Sequence, residues 1–186
     1  MDFQTYSFTV VTILSVMVIV AQLIMLIVAG SALLGRQGKN SVLDFFTKHG
    51  LVLMLIATLV ATCGSLFFSE IAGWNPCKYC WIQRIFMYPV AVMLPIAIWK
   101  RDRGIARYIL ALSIIGACYA AYHYYIQMYD IVASPLNPAT PCDASGESCV
   151  KTPFVEFGYI TVPMMALTAF LLNITGSLVL LRKQKA

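Results

Sequence analysis

The sequence predicts an all-α membrane protein with five transmembrane helices, and three observations lead to that reading. First, 60% of its 186 residues are hydrophobic and only 11% are charged, with a mean hydropathy of +0.80. A water-soluble fold of this size cannot cover so much apolar surface, so lipid must be part of its solvent. Second, the few charges are clustered. Residues 3–35, Leu51–Ser69, Trp81–Trp99, Tyr108–Tyr129 and Phe157–Leu181 contain one formal charge among them, Arg84. Each stretch approaches the roughly 20 apolar residues needed to cross the hydrocarbon core. Third, none of them alternates apolar and polar residues as a membrane barrel strand does.

The first stretch also resembles a secretory signal in position, but only Asp2 precedes it where a basic n-region belongs. Its apolar run far exceeds the roughly 7–15 residues of a signal core. It reads as a retained span. The basic residues then orient all five. Segments 36–50, 100–107 and 182–186 hold Arg36, Lys39, Lys48, Lys100, Arg101, Arg103, Arg107, Arg182, Lys183 and Lys185, whereas the alternate segments hold only Lys78 and Lys151. This positive-inside bias puts the C-terminus in the cytoplasm, and the N-terminus with loops 70–78 and 130–156 outside. The net charge of +5 thus reflects topology. It offers no basic, aromatic-studded soluble face for nucleic acid. A channel or transporter would call for more polar residues within the helices than Arg84, His123 and Gln127.

Four of the six cysteines fall on the outer side, where disulfides form and persist. Asn75-Pro76-Cys77-Lys78-Tyr79-Cys80 reads as a helix start, with Asn75 as N-cap and Pro76 at the first helical position. Cys77 and Cys80 then share one face of the first turn. The positive helix end and Lys78 would favour thiolate there, which suits redox exchange. A static disulfide and a zinc site built from Cys77, Cys80, Cys142 and Cys149 are the other readings, and an oxidising compartment disfavours zinc. Cys142 and Cys149 lie in a loop rich in Pro, Gly, Ser and Asp, expected to be exposed and mobile. Their spacing allows a local disulfide, either as a loop staple or as a pair that meets a partner's thiol. Cys63 and Cys118, inside helices, read as small buried hydrophobes.

Arg84 lies one helical turn below Cys80. A guanidinium at that position stabilises a thiolate and can donate to a quinone carbonyl, unless it merely snorkels to the surface. His123 and Gln127, one turn apart, sit at a comparable depth, roughly 6–9 Å below the outer surface. They line a quinone site or belong to an interfacial belt with Tyr119, Tyr122, Tyr124, Tyr125 and Tyr129. Trp74, Trp81 and Trp99 read as interface anchors.

Cys77-Lys-Tyr-Cys80-Trp-Ile-Gln-Arg84, His123-Tyr-Tyr-Ile-Gln127, the Cys142/Cys149 pair and Tyr159-Ile-Thr-Val-Pro-Met-Met-Ala166 together resemble the DsbB family of quinone-linked, disulfide-forming membrane proteins. Its shorter BdbC-type branch is the nearest likeness, over roughly residues 45–181. The resemblance implies a four-helix transmembrane bundle plus one extra N-terminal helix. The implied organisation is an extra helix in 1–35, a cytoplasmic linker in 36–49, the four-helix domain with its outer redox loops in 50–182, and a cytoplasmic tail in 183–186. It implies catalytic roles for Cys77, Cys80, Cys142 and Cys149, and a quinone, ubiquinone or menaquinone, held by Arg84, His123 and Gln127. Cys142 would form the mixed disulfide with a DsbA-like thioredoxin-fold partner, Cys149 would exchange with Cys77, and Cys80 would face the quinone. The setting would be the cell inner (plasma) membrane. Two departures stand out: the extra helix has no assigned role, and the second pair is closely spaced. Vitamin-K-epoxide-reductase-like enzymes place their loop cysteines before the Cys-x-x-Cys element, the reverse of the order here. A structural membrane subunit with static disulfides is the remaining alternative.

Overall fold

The computed structural model describes residues 3–34, 41–133, 142 and 146–184. It is all-helical, with α1 at Phe3–Leu34, α2 at Ser41–Leu66, α3 at Lys78–Lys100, α4 at Ala106–Ala133 and α5 at Val162–Gln184. All five are long and apolar enough to cross a membrane. Helix α2 begins at Ser41 and ends in a wider π turn over Phe67–Ile71. It is therefore longer at both ends than its uncharged stretch. Polar residues such as Asp44 and Lys48 remain compatible with a helix once the chain leaves the hydrocarbon.

Short connections set the neighbours. Helix α3 stops at Arg101, whose left-handed backbone (φ 54°) lets Asp102 N–H reach the Ala97 carbonyl at 2.9 Å. Asp102 Oδ1 then accepts from Gly104 N–H at 2.7 Å, so α4 starts at once, antiparallel to α3. Helix α5 packs most extensively on α4 and α2, and α1 lies against α5 and α2.

Close approach rests on small residues, as expected where lipid tails remove the hydrophobic drive between helices. A Cβ built on Gly116 of α4 would collide with the ring of Phe170 on α5, which is fully buried. Polar pairs supply the rest. Thr58 of α2 and Asn173 of α5 are both fully buried, and the Asn173 amide donates to the Thr58 hydroxyl at 3.0 Å.

Several side chains depart from the sequence expectation. Cys63 and Cys118 face outward rather than inward. Trp74 is half-buried; it stacks on Phe68 (5.1 Å) and packs against Phe154 of the loop between α4 and α5 (5.6 Å). Trp99, 84% exposed, and Tyr119, Tyr122, Tyr125 and Tyr129 do lie on the outward surface. The expected loop segments 134–141 and 143–145 lie outside the described residues.

Gly116→Ala is expected to destabilise the bundle by about 1–3 kcal/mol, because the buried Phe170 ring must shift. Gly30→Ala, with nothing within 4 Å, should be neutral or stabilising. Thermal unfolding of the two variants in detergent checks the contrast.

Candidate functional site

The Cys-x-x-Cys element starts α3 two residues later than its sequence suggests. Cys77 is the N-cap, with an extended backbone (φ −69°, ψ 172°), and Lys78 opens the helix. Asn75 makes no cap; its Nδ2 donates to Glu147 Oε1 of the loop between α4 and α5 at 2.9 Å. That bond, with the Trp74–Phe154 contact, ties the loop between α2 and α3 to the loop between α4 and α5. Cys142 and Cys149 are joined by a disulfide. Cys149 is only 2% exposed, contrary to the expectation of an open loop, while Cys142 is half-buried.

His123 anchors Cys149 by its backbone. Its Nε2 lies 2.9 Å from the Cys149 carbonyl oxygen and 3.6 Å from Cys77 Sγ, and its Nδ1 lies 3.0 Å from Gln83 Nε2. A carbonyl can only accept, so Nε2 carries the hydrogen and Nδ1 accepts from the Gln83 amide. Rotating that amide would present its oxygen to a protonated Nδ1, so Gln83 can support either charge state. Tyr79 packs against the imidazole ring at 5.4 Å. Gln83 is 5% exposed. Sequence reasoning assigned it no role, and the available signal was its position three residues after Cys80, on the face shared by the thiols.

Cys77 and Cys80 are free thiols with their sulfurs 3.2 Å apart. The Cys77 thiol is held far below the usual thiol range, at about 4, chiefly because Cys80 donates a hydrogen bond to the thiolate. Burial opposes this, and His123 adds to it by hydrogen bond and by charge. The two sulfurs face different surroundings. Cys80 lines a cavity of about 650 Å³ together with Ser65, Gln83 and Arg84, and Cys77 does not.

Arg84 does not snorkel; it is 8% exposed. Its Nε donates to Ser65 Oγ at 2.9 Å and one terminal nitrogen to the Ser65 carbonyl at 2.8 Å, while the guanidinium sits 5.0 Å from the Trp81 ring centre. Among the described residues, the remaining guanidinium N–H groups have no protein acceptor, and the side chain lines the cavity. His123 and Gln127, expected beside Arg84, are absent from that lining. They lie on the loop side, where Gln127 Nε2 points at the Lys151 carbonyl at a long 3.5 Å. Cys77, Cys80 and His123 bring three potential metal ligands within 4.8 Å. However, His123 Nε2 is engaged by the Cys149 carbonyl, and the disulfide consumes the two cysteines that would complete a four-ligand set.

Residues 47–180 match the family model described as disulfide bond formation protein DsbB. The chain belongs to the DsbB family. It is 36% identical over 156 residues to the probable disulfide formation protein C 1 of Bacillus anthracis, covering 81% of this chain and 100% of that one. It is 40% identical over 119 residues to the disulfide bond formation protein C of Bacillus subtilis strain 168, covering 64% of this chain and 83% of the relative. It is also 37% identical over 130 residues to a probable disulfide formation protein of Deinococcus radiodurans, covering 66% of this chain and 82% of the relative. No solved structure matches. The DsbB-family chain is thus a multi-pass membrane protein of disulfide bond formation, built as the family bundle with an N-terminal helix added.

In the reduced DsbB-family protein, thiolate absorbance is expected to titrate near pH 4. Cys80→Ala should raise that midpoint most and His123→Ala less, following the order of their contributions. The folded value is depressed, so the thiolate's contribution to stability is complete above the unfolded thiol value of about 8.5 and is lost as pH falls toward 4. Denaturant unfolding of the reduced protein across that window checks the sign.

Proposed function

We propose that the protein takes electrons from an extracytoplasmic thioredoxin-fold, DsbA-like dithiol and passes them to a membrane quinone, ubiquinone or menaquinone. It thereby supports disulfide bond formation in exported proteins. One observation carries the reading: the Cys77/Cys80 pair straddles two environments. Cys77 adjoins His123, which also holds the Cys149 backbone, and Cys80 lines an apolar cavity with Arg84. The positive-inside bias supports an extracytoplasmic site in the plasma membrane.

The exchange steps balance as follows. A partner thiolate attacks Cys142, the more accessible loop sulfur, forming a mixed disulfide and releasing Cys149 as thiolate. The partner's second thiolate then closes its own disulfide and releases Cys142, so the loop pair now holds two electrons. Cys149 attacks Cys77 of an oxidised Cys77–Cys80 pair, and Cys80 leaves as thiolate. Cys142 next attacks Cys149, restoring the loop disulfide and releasing Cys77. A low-pKa thiol leaves faster, so the depressed value of Cys77 favours this last release. Two electrons and one proton then leave as the Cys77 thiolate and the Cys80 thiol close again, the second proton having been given up when the Cys77 thiolate formed.

The cavity's residues fit a quinone. Its volume is in the range of small-ligand sites, its walls are largely apolar, and the donors on its lining include the free N–H groups of Arg84, Gln83 and the unpaired Tyr88 hydroxyl. Arg84 and Gln83 would hold the ring carbonyls beside Cys80. A bound quinone supplies a two-electron, two-proton sink. Ser65 and Trp81 hold the guanidinium fork in place, and the apolar wall excludes water from the Cys80 sulfur.

Purified protein supplied with a reduced thioredoxin-fold partner should oxidise it only when quinone is present. Cys80→Ser should abolish turnover, and Cys149→Ser, mixed with the oxidised partner, should trap a mixed disulfide as the Cys142 thiolate attacks the partner's disulfide. Fixed disulfides with no quinone-dependent turnover would identify a structural subunit instead. Arg84→Lys keeps the charge but loses the planar fork, and should raise the KM for quinone on the order of tenfold.

A further inference from the structure

Helix α1 lies outside the residues that carry the family match, yet it is fastened to the bundle at two levels. Near its outer end Val11, fully buried, packs with Phe68 and Phe154, and a Cβ on Gly64 of α2 would meet Leu14 at 3.2 Å. Farther along, Gln22 uses both ends of its amide. Its Nε2 donates to Thr168 Oγ1 of α5 at 3.1 Å, and its Oε1 accepts from the Tyr159 hydroxyl at 2.9 Å. Tyr159 follows a tight turn in which Phe157 (φ 50°) and Gly158 (φ 78°) are both left-handed, and its own carbonyl accepts from the Tyr124 hydroxyl at 3.1 Å. An amide satisfied on both sides within an apolar span makes a register device, since sliding α1 by one residue would strand it.

Held in that register, α1 turns Met17, Ala21 and Ile24 toward the cavity that Cys80, Gln83 and Arg84 also line. The lining reaches from Ser65, at the outer end of α2, to Phe46 near its beginning. At 1.5 Å per residue those positions are about 29 Å apart, close to the roughly 30 Å of the hydrocarbon core. A ring at Arg84 would occupy only the outer end. The rest is an apolar trough, with α1 as one side and α2 and α5 as the other.

We propose that α1 is a specificity-determining wall for the acceptor, closing the trough into a channel that takes the isoprenoid tail of the quinone. The inference rests on quinone being the acceptor. Continuity of the channel with the Cys80 sulfur argues for a quinone tail over a phospholipid acyl chain, because only the former has a reason to place its head at the redox pair.

The test uses the full chain in lipid nanodiscs with a long-tailed quinone bearing a diazirine at the tail end. Photolysis should label the Met17–Ile24 face of α1, and unmodified long-tailed quinone should compete the label away. Label restricted to outward positions such as Leu23 and Leu26, or to α4, would overturn the channel. So would a diazirine phospholipid that labels the same face and is not displaced by quinone. Kinetics give an independent readout. Ala21→Trp, or Ile24→Trp if the first does not fold, should raise the ratio of KM for long-tailed over tail-less quinone about tenfold. Leu23→Trp should leave that ratio unchanged. An equal loss with both acceptors would mark general damage and reject the wall. No reduction of either quinone by the unaltered protein would instead remove the acceptor reading itself, and the inference with it.

Discussion

His123 sits where α3, α4 and the loop between α4 and α5 meet, fully enclosed, and has two ring nitrogens with which to satisfy three neighbours. The Cys149 carbonyl obliges Nε2 to donate, Gln83 takes Nδ1, and the Cys77 sulfur shares what Nε2 has left. A buried polar ring without partners is costly, so each of these neighbours is held as firmly as it holds the imidazole. The arrangement draws a loop cysteine into the protein and keeps Cys77 beside it. The rest of this end of the bundle is arranged around that join: the Asn75–Glu147 bond and the Trp74–Phe154 packing press the loop down over it.

Below the join, the balance shifts from hydrogen bonding to desolvation. A guanidinium in hydrocarbon is expensive, and Arg84 offsets part of that with two bonds to Ser65 and the face of Trp81. The partners come from α2 and from its own helix, so the charge stays fixed while part of the fork remains open to the cavity. Cys80 shares that cavity, and a single S–S contact of 3.2 Å separates it from the polar side. The site is a boundary between two dielectric regions, and the cysteine pair lies across it.

The bundle itself is held by small residues and a few buried polar pairs. Gly116 admits Phe170, Thr58 meets Asn173, and Gln22 meets Thr168 and Tyr159. In lipid these contacts select a register more than they add bulk stability.

By itself the sequence determined the solvent, the number of spans and the thiols: apolar run length answers to bilayer thickness, and neither depends on how the helices meet. It also showed Arg84 as the lone intramembrane charge, because a charge there is conspicuous whatever its partners. Tertiary structure decided what one-dimensional spacing does not encode. Asn75, a good N-cap by residue type, was drawn to Glu147 and left Cys77 as the cap. His123 and Gln127, expected from residue counts at the depth of Arg84, face the loop rather than the cavity, since depth says nothing of rotation about a helix axis. Gln83 and the inner face of α1 acquired their places only through residues 40 or more positions away in the chain. The five helices and their thiols were legible because they answer to lipid and to redox chemistry. The division of Cys77 from Cys80 was not, because it is made by which neighbouring helix each sulfur meets.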